Sequence, residues 1–291
     1  MTQLLGLQLI SKYRAELMGG ATIGVLVGHI IAFGNFDVPV LDTIAHGIHT
    51  PGFLFLSGFG LFYSLSKDSN AKEFYKRRFW RFLLPYVLIS LPFLCRSILT
   101  GNFEFGNFLL RLSTLNFWIN GNTDGMWYIA VSLVLYIITL PIYYWISNAY
   151  VDRLLLIITG VIALNYGIEY VSEEYWSKIS IGLKYAHMYF GGMLTAYLAK
   201  NKSLPQELIV TATAVLTMAY VASLFCNVTH LVYFETLVTI LFYIALLICV
   251  LQILDYQKIG FLSVCLSWFG KYSLELYLLQ INKTLFKLQK I

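Results

Sequence analysis

The chain has 291 residues, 58% hydrophobic and 12% charged, a net charge of +5 and a mean hydropathy of +0.71. Soluble domains carry about 25% charged residues. Half that share, set between long apolar runs, excludes a soluble globular enzyme, a disordered chain and a nucleic-acid reader. The basic residues sit mostly beside hydrophobic segments, a pattern of membrane topology and not of a nucleic-acid footprint. With about 20 apolar residues needed per crossing, the expected fold is an all-α, polytopic transmembrane helix bundle of about nine to ten spans.

Taken in chain order, the first 16 residues, MTQLLGLQLISKYRAE, are amphipathic and read as an interfacial lead-in; no cleavable signal peptide is evident. Spans are expected over 17–35, 47–66, 83–100, 126–146, 153–170, 181–199, 207–226, 233–254 and 262–286. Segment 101–122 is interrupted by Gly101, Gly106 and polar residues, so it reads as a surface loop or a re-entrant piece sheltered by protein. No internal repeat marks the two halves of a transporter, and one domain over 1–291 is the simplest organisation. The densest basic cluster, Lys67, Lys72, Lys76, Arg77, Arg78 and Arg81, lies between spans two and three and points to the cytoplasmic face. Cys95, Cys226, Cys249 and Cys265 all lie in apolar stretches without metal-type pairing, and read as buried thiols.

Three features carry chemistry. His29 lies toward the far end of the first span, where an ionisable group is costly and points to function. Burial favours the neutral imidazole, which can accept a proton; a histidine hydrogen-bonded to a neighbouring helix is the plainer alternative. Gly20, Gly24 and Gly28, four apart, would let a partner helix approach closely. Glycines of this kind pack helices within a chain as readily as between chains, so the oligomeric state stays open. His46 and His49, in HGIHTPGFLFLSG, come to the same outer side. They read as contacts to a polar acceptor or as interfacial histidines, with Pro51 opposing a continuous helix there. The five histidines lack an i,i+4 metal pair, so no metal is expected. The segment KEFYKRRFWRFLLPY reads as an interfacial helix with an apolar stripe and Arg77 and Arg81 on another face. Its guanidinium groups suit the phosphates of a nucleotide-bearing acyl carrier or of anionic lipid headgroups.

These pieces occur in a recognisable order. RAELMGGATIGVLVGH, FLFLSGFGLFYS, FYKRRFWRFLLPY, DGMWYIAVSLVLY and WFGKYSLELYLLQ resemble blocks of the membrane acyltransferase-3 superfamily, bacterial enzymes that mostly O-acetylate surface polysaccharides. The resemblance runs over essentially the whole chain and is most specific from FLFLSGFG to RRFWRFLLP. It implies an integral-membrane O-acetyltransferase of a bacterial inner or plasma membrane, with cytoplasmic acetyl-CoA as donor and an exported glycan hydroxyl as acceptor. By that likeness His29 is the catalytic histidine and Arg14 the matching arginine of the first span. Arg77, Arg78 and Arg81 would engage the coenzyme, while His46, His49, Ser57, Trp127 and Tyr128 would line the acceptor side. Ser273 and Tyr277 belong to the final block. That block carries Gln280 where family members commonly have histidine, and the chain ends at Ile291 where they continue through a further span. Hydrophobicity, a buried histidine and glycine spacing alone would equally fit a small-solute or lipid-linked glycan transporter, and the short end a non-catalytic relative.

Overall fold

A bilayer leaves a single segment one way to bond all its backbone groups internally, the α-helix, and the described residues contain helices and no strand. The computed structural model describes residues 8–34, 39–101, 103–121, 127–146, 150–201, 243, 247, 250 and 260–279. In order, the helices are α1 (Gln8–Lys12), α2 (Arg14–Gly34), α3 (Pro39–Lys67), α4 (Ala71–Arg78), α5 (Leu84–Leu99), α6 (Phe105–Leu112), α7 (Leu115–Asn120), α8 (Trp127–Ile146), α9 (Tyr150–Val171), α10 (Glu173–Leu183), α11 (Ala186–Asn201) and α12 (Gly260–Lys271). Among the described residues three helical runs, Ala71–Leu99, Trp127–Ile146 and Tyr150–Val171, are long and apolar enough to cross a membrane. The chain is an all-α membrane helix bundle.

Several expectations need correction. The basic segment is not a separate interfacial helix; it forms the first turns of a 29-residue helical run, Ala71–Leu99. Pro85 has no N–H for the Arg81 carbonyl, and the chain absorbs this by widening into a π-helical turn, Phe79–Leu83, in which the Leu84 N–H bonds to the Phe79 carbonyl. α3 likewise continues through Pro51. Segment 101–122, expected as a surface loop or a re-entrant piece, contains two short helices, α6 and α7, joined at Thr114, which adopts φ 63°. The expected span 181–199 is broken at Lys184–Tyr185 between α10 and α11, and the span from 262 turns at Tyr272 before 273–279 resume a helix. Cys95 is exposed along α5, not buried, whereas Cys265 is half-buried. Residues 1–7 of the lead-in, the span 207–226, most of 233–254, and Cys226, Cys249 and Gln280 lie outside the described residues.

The segments divide into two internally packed units. The first comprises Met1–Tyr63, Ala149–Ile162 and His187–Ser273. Its centre is α3, where residues 51–59 are all buried, as expected of a helix apolar on every side. Glycines set its closest crossings. A Cβ on Gly58 would collide with the Tyr189 carbonyl, and one on Gly192 with the Phe55 carbonyl and, at 2.9 Å, the Phe59 nitrogen. A second crossing joins α2 to α12: Gly19 faces the Leu266 carbonyl, and Gly270 faces the Ala15 carbonyl. Glu16 accepts a 2.7 Å hydrogen bond from Ser263 one turn earlier, so α2 and α12 advance in the same direction. Gly20, the first glycine of the expected ridge, has open space, and it is its neighbour Gly19 that meets the α12 backbone.

The second unit comprises Ser64–Asn148, Ala163–Ala186 and Leu274–Ile291. Tyrosine hydroxyls tie it together. Tyr86 donates to the Arg111 carbonyl at 2.6 Å, fastening α6 to α5. Tyr175 donates to the Trp118 carbonyl at 2.6 Å, fastening α7 to α10. Gly121 at φ 83° and Gly182 leave room for Lys178 and for Phe117 and Val131, so α7 lies against both α8 and α10.

The neighbouring glycines of α2 give a clean test. Gly19→Ala should lower the melting temperature of the purified protein by the equivalent of about 1–3 kcal/mol, the usual cost of overpacking. Gly20→Ala should leave it unchanged or raise it, because alanine favours the helix. Equal effects at both positions would contradict this crossing.

Candidate active site

α2 carries two of the expected site residues at its two ends. Arg14 is its first residue and His29 lies fifteen residues on, about 22 Å along the axis, so the two do not meet at one reacting atom. The Arg14 Nε donates to the Leu56 carbonyl at 3.2 Å. Its guanidinium occupies the space that a side chain at Gly60 would fill. The arginine thus pins the start of α2 to α3 within the first unit. His29 is partly exposed and its Nδ1 is buried.

Helix ends place the other histidines. His29 stands five residues before Gly34, while His46 and His49 stand seven and ten residues after Pro39. At 1.5 Å per residue these are about 7.5, 10 and 15 Å from the ends that face the connection 35–38. Because α3 is helical through Pro51, His46 and His49 hold i,i+3 positions on one helix. Ser57 is buried in the same helix, one residue before the Gly58 crossing. Gly52 gives the Tyr243 side chain room against α3, and Phe55 meets the Tyr243 ring edge-on at 5.2 Å. A residue with no distinctive sequence signal, His187, is also buried in this unit, at 2% exposure in the first turn of α11. Its neighbours in AHMYFGG offered no pattern to single it out.

In the second unit, Trp127 and Tyr128 open α8. Tyr128 is buried and packs edge-on against Tyr277 at 5.2 Å, so two of the expected sequence blocks come together there. The three arginines do not share a surface. Arg77 is paired with Asp68, both side chains about half-exposed, at 3.1 Å. Arg78 turns inward, 5.7 Å from the Phe74 ring centroid and 5.9 Å from that of Tyr136, with its Nε buried. Arg81 is exposed within the π-helical turn. Asn70 caps α4 by accepting from the Glu73 N–H, and its own N–H donates to Asp68 at 3.0 Å. That backbone donor, and after it Arg77, holds the Asp68 carboxyl below the usual carboxylate range. Since the folded value is depressed, the Arg77 contact is present at neutral pH and fades only as pH falls through it. Among the described residues no group of three metal-ligating side chains occurs.

Residues 19–286 match the acyltransferase domain model of the acyltransferase-3 family. The chain belongs to the acyltransferase-3 family. It is accordingly a membrane acyltransferase. His29, Ser57, the arginine cluster, Trp127 and Tyr128 lie inside the matched region, and Arg14 lies before it. No curated protein and no solved structure matches the chain significantly.

The arginines should separate on substitution. Arg78→Ala removes a half-buried cation stacked on two rings and should lower the melting temperature measurably. Arg77→Ala, which breaks an exposed pair, should leave it almost unchanged. Melting curves of the purified variants decide, and a larger loss at Arg77 would contradict this placement.

Proposed function

We propose that this acyltransferase moves an acetyl group from cytoplasmic acetyl-CoA to a hydroxyl of a surface or exported glycan, in a bacterial inner or plasma membrane. One observation carries the reading: α2 holds a cation at its first residue and an imidazole near its far end, with the positions of His46 and His49 on α3 in the turns nearest the same connection. That arrangement suits a donor that enters from one side and an acceptor presented on the other. The exposed cations of the Ala71–Leu99 run, Lys72, Lys76, Arg77 and Arg81, supply the charge that the phosphates of the donor need.

A thioester is already activated, so the protein's work is positioning, proton removal and stabilisation of the developing oxyanion. His29 takes the proton of the acceptor hydroxyl as its oxygen attacks the thioester carbonyl. The carbon–sulfur bond breaks, the acetyl group passes to oxygen, and the coenzyme thiol leaves with a proton. Ser57, Trp127 and Tyr128 are assigned to the acceptor side, with Arg14 fixing the inner end of the helix that bears the base. No metal is required by this scheme, since the imidazole supplies the base.

Radiolabelled acetyl-CoA supplied to membranes that contain the chain and the host's own glycan tests the reading. Label should enter the glycan, and His29→Ala should reduce its rate by about 10²–10⁴-fold at equal protein abundance. Undiminished transfer by the variant would remove His29 from the mechanism.

A further inference from the structure

Helix α8 contains a proline at 141, which cannot donate to the Ile137 carbonyl four residues earlier. In water such an oxygen is answered by solvent, but in a membrane protein the donor has to come from the protein or from the interface. Here it comes from the basic helix: the Tyr75 hydroxyl donates to the Ile137 carbonyl at 3.0 Å. Neighbouring contacts fall on the same stretch of α8. Arg78 lies over the Tyr136 ring, and Phe82 meets that ring edge-on at 5.2 Å. Further along, the Tyr144 hydroxyl donates to the Ser69 carbonyl. Residues 69–82 therefore run against 144–136, and the Tyr75 bond lies midway along the seam, beside the residues that carry the positive charge.

Packing alone does not call for a hydroxyl at this position. The Tyr75 ring is 38% exposed and already meets Phe74 edge-on at 5.2 Å, which phenylalanine would do as well. The oxygen is what reaches α8. Its effect is directional, because a hydrogen bond fixes the rotation of α4 about its own axis in a way that ring contacts do not. Rotation matters here: Lys72, Lys76, Arg77 and Arg81 project from successive turns, and a small turn of the helix moves every one of them relative to a bound polyanion.

We propose that Tyr75 is a positioning residue for the acyl donor, holding the basic helix in register through the α8 carbonyl that Pro141 leaves open. This rests on the reading of acetyl-CoA as donor. The bond has two separable consequences. It answers an otherwise unpaired carbonyl, which is a matter of stability, and it fixes the basic side chains, which is a matter of donor affinity. Pro141→Ala separates them. An alanine restores an intrahelical N–H for Ile137 and relieves the first consequence, but it does nothing to re-establish the tie to α4.

The experiment compares wild type, Tyr75→Phe, Pro141→Ala and the double variant in full-length protein, by melting temperature and by acetyl-CoA kinetics. Tyr75→Phe should lower the melting temperature and raise the KM for acetyl-CoA by about three- to tenfold, with kcat within about twofold of wild type. The double variant should recover the melting temperature while its KM stays high. A KM that is unchanged in Tyr75→Phe, or that recovers together with the melting temperature, would overturn the positioning role. A wild-type chain that takes no acetyl-CoA would overturn the donor reading and the role of Tyr75 with it, whereas Arg81→Ala raising KM beside an unmoved Tyr75→Phe would overturn the role alone.

Discussion

A backbone oxygen without a donor is far more costly in a bilayer than in water, and two prolines of this chain show how such an oxygen is answered. Proline creates the need at known places. At Pro85 the answer is internal, a wider turn in which the Leu84 N–H reaches back five residues to Phe79. At Pro141 it is external, a tyrosine hydroxyl from another helix. Elsewhere tyrosine hydroxyls reach carbonyls near the ends of the short helices α6 and α7: Tyr86 shares the Arg111 carbonyl with the Thr114 N–H, and Tyr175 bonds to that of Trp118. Arg14 adds a side-chain bond to the Leu56 carbonyl within α3.

Where side chains are absent, backbone meets backbone. Gly58 and Gly192 close α3 on α11, and Gly19 and Gly270 close α2 on α12. In each pair a glycine from either helix faces a carbonyl of the other, which allows the close approach typical of membrane helices. The helix that carries His29 is thereby held on two sides, by α12 through glycine and by α3 through Arg14. The proposed role of His29 as a base, which must meet a hydroxyl within hydrogen-bond reach, depends on that rigidity.

Much of this was legible in the chain itself because apolar length is a strong signal. α2, α3, α5, α8 and α9 lie where runs of about 20 apolar residues occur. Boundaries were harder wherever proline or glycine had two possible effects. Pro51 reads as a break, yet it is accommodated within α3, and Pro85, inside the expected span 83–100, is absorbed by a π-helical turn. Segment 101–122 looked irregular because its glycines and polar residues mask two short helices that depend on tyrosine contacts from elsewhere in the sequence. Gly20 was expected at the close crossing that Gly19 makes, because spacing identifies a stripe but not which neighbour it faces. The basic segment was visible as charge, but its division among Asp68, Tyr136 and open surface is a tertiary fact. His187 carried no local pattern, and its burial follows only from the packing of α11.

The proposed function assigns the cations of the Ala71–Leu99 run to the charged donor and the His29 imidazole to the acceptor. The direct test uses sealed vesicles of defined orientation, with radiolabelled acetyl-CoA supplied to one face at a time and the glycan acceptor on the other. The account predicts label in glycan only when acetyl-CoA meets the face that bears Lys67 to Arg81. Equal transfer from both faces, or transfer only from the opposite face, would contradict it.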